Sequence, residues 1–299
     1  MAFTKPRLFL TGGSGFLGHH LIQHAFNTFE VHYVVNNNYC TIQNAIPHKI
    51  NLNNYHSTVQ HISLLKPDFI VHLAAVADAN YCQLFPWNSW KINVEATVNL
   101  AKIANEENIP FAFTSTDLVF DGTQGNYSEE DTPNPVNKYG LQKLEAENLI
   151  RKFNPNAAVF RLPLMFGKSY TQKQNYLTDL IAKLQRNEKV NLFTDEYRSI
   201  CGANSVAQGI LKLITKSAQG TFHLGGTETL SRYEFGILVA KTFCCNQALI
   251  HACKQEDFLM AAPRPKDVSL NSSKAIYLGF RPLSSKEELR LIANDDTLN

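Results

Sequence analysis

Short, uninterrupted apolar runs alternate with stretches of helical periodicity through the first half of this chain. Leu8-Phe9-Leu10 is the length of a strand buried on both faces, the kind found inside parallel sheets. Gly12, Gly15 and Gly18 follow at three-residue spacing, and Leu17, Leu21 and Ala25 then repeat with the period of one helix face. Residues 31–35 read as a second strand closing at Asn36-Asn37-Asn38, residues 49–52 (Lys-Ile-Asn-Leu52) as a short third, and the segment to Leu65 as a short amphipathic helix. Pro67-Asp68 turns the chain into 69–75, a fourth buried strand ending in the small residues Ala74 and Ala75. Pro86 suits the first turn of a helix running to about Asn105. Pro110 precedes a fifth strand at 111–115, which runs on into Thr116 and Asp117. Residues 123–135 are polar loop, and Asn137 caps a helix carrying Tyr139, Lys143 and the run to Ile150. Residues 157–162 form a sixth strand, ended by Pro163 and Gly167.

This alternation predicts an α/β fold, a Rossmann-type doubly wound parallel sheet with right-handed crossovers. Beyond Lys168 it weakens. Helices are expected at 176–186 and 208–215, a strand at 220–224, and a helix at 233–243 capped by Ser231. From His251 the pattern is irregular and contains Pro263-Arg264-Pro265. The division read from this is a dinucleotide-binding domain at 1–167, with a return to its sheet at about 197–225. A smaller C-terminal substrate-binding region at 168–299 is interleaved with it.

Composition narrows the classes. An apolar share of 44% and a charged share of 18% describe an ordinary soluble globular protein, and a net charge of +2 with scattered basic residues lacks a nucleic-acid footprint. No apolar run spans a bilayer and none precedes the first strand, so neither a membrane anchor nor a signal peptide is expected. The six cysteines, Cys40, Cys82, Cys201, Cys244, Cys245 and Cys253, include no Cys-x-x-Cys pair and no zinc-ligand spacing. Reduced thiols in a cytoplasmic protein, with no metal site, are the expectation. His72, inside an apolar run, reads as a satisfied core histidine.

The candidate chemistry begins at the glycines. A strand, a glycine turn and a helix in that order make a pyrophosphate site, because the turn admits close backbone approach and the helix start offers free N–H groups. Asn36 and its neighbours stand where an acid would select the ribose hydroxyl of NAD and an arginine the phosphate of NADP. An asparagine serves either, so both cofactors stay open. Tyr139 and Lys143 are four apart on one helix face, where a lysine ammonium would lower the phenol's pKa towards neutrality. Thr116, at the end of the fifth strand, is the hydroxyl that would complete a carbonyl-polarising pair. Asn93 shares a helix face with Trp90 and Thr97 and should have a hydrogen-bond partner.

Together, Gly12-Gly-Ser-Gly15-Phe-Leu-Gly18, His72-Leu-Ala-Ala75, Asn93, Ser115-Thr-Asp-Leu-Val-Phe-Asp-Gly122 and Tyr139-Gly-Leu-Gln-Lys143 resemble an extended short-chain dehydrogenase/reductase. The Ser-Thr-Asp-x-Val-Phe-Asp-Gly stretch, with Arg264-Pro265 followed by Leu270, is similar to the dTDP-4-dehydrorhamnose reductase branch. The resemblance implies that Tyr139 protonates a substrate carbonyl and Lys143 holds the nicotinamide ribose. It also implies that Thr116 binds the carbonyl oxygen and that Asn93 serves a proton relay through water. Gly12, Gly15, Phe16 and Leu17 would meet the pyrophosphate. Ala74, Ala75 and Val76 would line the adenosine and ribose side, with Asn36, Leu52 and Pro163 completing the NADP or NAD site. Asp117 would touch the sugar, and Arg198 and Arg264 a substrate diphosphate, a surface ion pair being the alternative for each arginine. Leu164 stands where that branch usually carries an aromatic residue near the sugar. The implied substrate is a keto sugar, nucleotide-linked, and family members are often homodimers. Two other readings stay open: a sugar-nucleotide epimerase or dehydratase, and a cofactor-binding regulatory subunit like the β subunit of methionine adenosyltransferase. Against a dehydratase, Asp117 is followed by Leu118, not by a second acid.

Overall fold

The structure, a computed structural model, describes residues 4–36, 41–170 and 175–295; Asn37, Asn38 and Cys40 lie outside the described residues. Its centre is a seven-stranded sheet in which every pairing is parallel. Six strands, β1 (Arg7–Thr11), β2 (Glu30–Val35), β3 (Ala45–Lys49), β4 (Phe69–His72), β5 (Phe111–Thr116) and β6 (Ala158–Leu162), are joined by a last strand at Gly220–His223 beside β6. The spatial order from one edge is β3-β2-β1-β4-β5-β6 and then Gly220–His223, so the direction of winding reverses between β1 and β4. In doubly wound sheets a ligand crevice opens at that reversal, beyond the strand C-termini.

Both faces of the sheet are covered. Leu8 and Leu10 pack on one side with Leu21, Phe160, Val206 and Ile210, while Phe9 packs on the other with Phe113, Leu100 and Ile150. Helices α1 (Phe16–Ala25) and α8 (Ala203–Ile214) therefore lie on one face, and α5 (Thr97–Glu106) and α6 (Lys138–Phe153) on the other. The helices between them are α2 (Tyr55–Leu65), α3 (Ala79–Leu84), α4 (Pro86–Trp90) and α7 (Tyr176–Gln185). Past the sheet, α7, α9 (Arg232–Thr242) and α11 (Ser285–Ala293) enclose a third apolar cluster, and α10 (Ser273–Tyr277) precedes α11.

Four expectations from the sequence are corrected. The third strand is Ala45–Lys49, not 49–52; it is the sheet's edge, with Ile46 46% exposed and a proline at 47, so no buried run announces it. The fourth strand stops at His72, where its pairing with Thr11 ends because Gly12 turns away with φ +70°. The helix from Pro86 is not regular: a π-helical segment at Lys91–Ala96 separates α4 from α5, and α3, capped by Asp78, precedes it. The C-terminal part is less irregular than its sequence. Ile250–Cys253 pairs with Val190–Phe193, and Glu288 of α11 caps α8, accepting hydrogen bonds from Asn204 N at 3.2 Å and Ser205 Oγ at 2.7 Å. With that borrowed cap α8 begins at Ala203, ahead of the expected Gln208.

Candidate active site

The glycine turn fits a pyrophosphate. A Cβ at Gly12 would stand 2.7 Å from Ala74 N, and one at Gly18 would collide with the Gly12 carbonyl, so the turn closes only with glycine at both positions. Gly15 is the N-cap of α1 and offers no side-chain cap, so the first N–H groups of the helix have no side-chain cap among the described residues. This end of the helix opens onto a cleft of about 1220 Å³ at the C-terminal ends of β1, β4, β5 and β6.

Tyr139 reaches the cleft because α6 starts close to the end of β5. Asn137 caps α6 by accepting the Gly140 N–H at 2.9 Å, and its amide donates to Pro263 O at 3.1 Å. Gly140 lies so near Leu118 O that a Cβ there would overlap it. The first turn thus sits directly against the loop after Thr116, and Tyr139, Lys143, Thr116 and Asp117 all line the cleft. So do Gly12, Gly15, Phe16, Leu17, Ala75, Val76 and Pro163 on the glycine-turn side, and Arg198 and Arg264 opposite.

Four predicted site residues are not on its lining. Asn36 is exposed at the end of β2, and Leu52 packs against the core under α2 and α5. Ala74 stands behind the glycine turn, its N–H donating to Thr11 Oγ1 at 3.2 Å. Asn93 is fully buried inside the π-helical segment. Its Oδ1 accepts the Val76 N–H at 2.8 Å, and its Nδ2 donates to Val76 O at 3.0 Å and Gln142 Oε1 at 2.9 Å. Asn93 therefore positions Val76 and α6 from behind the wall of the cleft.

The electrostatics differ from the expected lysine-activated phenol. Burial is the main cause that raises the Tyr139 pKa well above the usual phenol value, with Cys82 and Asp117 adding to it and a side-chain hydrogen bond with Thr116 opposing it. Lys143 is not among these causes. Its ammonium lies 4.1 Å over the Phe113 ring, only 2% exposed, and burial pulls its pKa down to about 7 against the support of Glu147. The phenol therefore holds its proton at neutral pH. His72 is buried and bridges Thr11 Oγ1 at 2.6 Å and Thr97 Oγ1 at 2.8 Å; burial holds it neutral, with a pKa of about 3.

The family resemblance implies a sugar contact for Asp117 and a diphosphate contact for Arg198, with a surface ion pair as the alternative for the arginine. The structure pairs them in the interior, with Arg198 Nε 3.5 Å from Asp117 Oδ2 and Nη2 3.3 Å from Glu196 Oε1. Burial raises the Asp117 pKa to about 6 against the attraction of Arg198. Sequence reasoning missed Glu196, Arg232, Tyr176 and Ser115, all on the lining. Ser115 was hidden beside the more conspicuous Thr116, and its buried Oγ has no hydrogen-bond partner among the described residues.

Lys143 carries a measurable cost. With a pKa of about 7 when folded against an ordinary 10.5, it binds fewer protons folded than unfolded between those values, so the fold loses stability as pH falls through that range. Lys143→Met is expected to melt a few degrees above wild type near neutral pH, by about 2–6 °C, and the gap should close as pH rises towards about 10. Melting curves across that pH series check it; a gap that does not change with pH would contradict the buried ammonium.

The family described as RmlD substrate binding domain matches residues 6–297. Methionine adenosyltransferase 2 subunit beta of Bos taurus is 31% identical over 282 residues, 92% of this chain and 83% of its own length. A Haloferax volcanii protein named probable low-salt glycan biosynthesis reductase Agl14 is 29% identical over 76% of each chain. In three dimensions, dTDP-4-dehydrorhamnose reductase of Bacillus anthracis, solved with NADP, superposes with a TM-score of 0.85 at 23% identity, covering 97% of this chain and 99% of that one.

Proposed function

This chain belongs to the RmlD substrate binding domain family, and on that footing we propose that it reduces a 4-keto sugar, nucleotide-linked, with NADPH or NADH. The observation that carries the reading is the meeting, in one cleft, of a glycine turn whose helix has no side-chain cap among the described residues and a protonated phenol beside a threonine hydroxyl. The cofactor, when bound, supplies a hydride to the keto carbon. The protein's own part is to hold the pyrophosphate at Gly15, Phe16 and Leu17, to orient the carbonyl oxygen towards Thr116, and to deliver the Tyr139 proton to that oxygen. Lys143, close to half-charged at neutral pH, is the group for the nicotinamide ribose. Asp117 offers Oδ2, which accepts no hydrogen bond among the described residues, to a sugar hydroxyl. The NADP in the Bacillus anthracis reductase and the reductase name of the Haloferax relative support the same reading.

A panel of nucleotide-linked 4-keto sugars, followed by the absorbance of NADPH and NADH, tests the proposal. Oxidation of either cofactor with one of these sugars is expected. Tight binding of NADP together with no turnover across the panel would overturn it.

The likeness to the adenosyltransferase subunit favours a second reading, a cofactor-loaded regulatory subunit. Co-purification with an adenosyltransferase catalytic chain, changing that chain's kinetics, is the outcome that would select it.

A further inference from the structure

Tyr139 and Lys143 both point into the cleft from α6, so their aim depends on how that helix is rotated about its own axis. The Asn137 cap and the close approach of Gly140 to Leu118 O settle its first turn. The next turn is held by a different residue. Gln142 flanks Tyr139 on the side away from Lys143, which turns it from the cleft towards α4 and the π-helical segment. It is 2% exposed, and a carboxamide at that depth is tolerated only when its N–H groups and its oxygen are all bonded.

They are. Gln142 Oε1 accepts from Asn93 Nδ2 at 2.9 Å, and Nε2 donates to Ser89 Oγ at 2.8 Å and to Pro86 O at 2.9 Å. Ser89 is fully buried, and its hydroxyl donates onward to Pro86 O at 3.1 Å. The donors run in one direction: Val76 N–H to Asn93, Asn93 to Gln142, Gln142 to Ser89. Pro86 and Ser89 belong to α4 and Asn93 to the π-helical segment, so one side chain of α6 grips both pieces of that broken helix. Through Asn93 it is also tied to Val76, which lines the cleft opposite. A buried network with every member bonded is rigid, and removing one member leaves its neighbours without partners.

We propose that Gln142 is a positioning residue: its carboxamide, held by Asn93, Ser89 and Pro86, sets the rotation of α6 that aims the Tyr139 phenol and the Lys143 ammonium into the cleft. Its effect on turnover rests on the keto-sugar reading; its effect on cofactor binding rests only on the dinucleotide reaching Lys143. A shift of about 1 Å at a reacting group costs roughly 10²-fold in rate, so a small turn of the helix is enough to matter. The Tyr139–Lys143 spacing reads the same whatever stands at 142, so the pair alone does not announce this residue.

The test compares calorimetric titrations of NADP and of 2′,5′-ADP, which lacks the nicotinamide ribose, with steady-state rates on a keto sugar, all well below the melting temperature. Gln142→Met keeps the length of the side chain and removes its hydrogen bonds. It should weaken NADP by about three- to tenfold and leave 2′,5′-ADP within about twofold. Its kcat should fall by about 10²-fold, with KM for the sugar within about threefold. Ser89→Ala leaves Gln142 its bond to Pro86 O and should show the same split at smaller size, about two- to fivefold in kcat. Ile62→Val, a buried change on α2 away from the cleft lining, should melt lower and show neither effect. A glutamine that only stabilised the fold would behave like Ile62→Val. NADP affinity unchanged in Gln142→Met, or weakened equally with 2′,5′-ADP, overturns the proposal; if that chain does not fold, Ser89→Ala decides by the same two affinities. A wild-type protein that binds NADP and reduces none of the sugars overturns the reductase reading instead, and the affinities still decide the role of Gln142.

Discussion

Tyr139→Phe is expected to lower kcat for keto-sugar reduction by about 10²–10⁴-fold while leaving NADP affinity nearly unchanged. The phenol is held protonated by burial, which is the state a proton donor needs when a carbonyl is reduced at neutral pH. Removing one oxygen from a residue that packs against Ala79, Cys82 and Ala262 changes little else, so the loss should fall on the chemical step. Steady-state rates on a sugar that wild type reduces, together with NADP titration, measure both parts. The competing donor is Asp117, whose pKa of about 6 also lets it carry a proton near neutrality. If Asp117 were the donor, Asp117→Asn would take the large loss and Tyr139→Phe would keep most of the rate.

The second large effect lies behind the site. Glu147 of α6 is fully buried and grips Arg161 of β6 with two hydrogen bonds, Nε to Oε1 at 3.1 Å and Nη2 to Oε2 at 2.8 Å. Arg161 is 2% exposed, lies 5.1 Å over the Phe120 ring, and is 3.4 Å from His223 Nε2. Glu147→Ala leaves that guanidinium buried without its carboxylate, a loss of about 3–5 kcal/mol. At about 2–4 °C per kcal/mol for chains approaching this size, the melting temperature should drop by about 10 °C. A double change, Glu147→Leu with Arg161→Met, removes both charges and should recover most of the loss, because the penalty belongs to the orphaned charge. Equal losses in the single and double variants would mean that packing, not charge, sets the cost. Glu147 also supports the charged form of Lys143, so in any Glu147→Ala protein that still folds the ammonium should titrate lower still.

Much of the sheet was legible because its inner strands are buried on both faces. Residues such as Leu8, Phe9 and Leu10 form continuous apolar runs, and the glycines and caps punctuate them. The edge strand at 45–49 was not, since one side of it meets solvent and no run survives. Tyr139, Lys143 and Thr116 could be read because two share a helix face and the third ends a strand. Their charge states could not, since neither the depth of the cleft nor the Phe113 ring under Lys143 is written in local spacing. Glu196 and Arg232 carried no signal: each sits in an unremarkable stretch and meets the cleft only through the way the C-terminal half folds back. Asn93 stands out through its helix-face neighbours and the family resemblance, yet its partners Val76 and Gln142 lie in the loop after β4 and on another helix.

The wide turn at Lys91–Ala96 has a consequence for comparing relatives. A π-helical turn holds one residue more than an α-turn of the same rise, so a homologue with a straight helix here would align only with a single-residue gap in mid-helix. Such a gap, easily dismissed as an alignment fault, would mark a chain whose helix is rotated by about one residue beyond it, so that the same side chains no longer face Val76 and Gln142 as Asn93 does here.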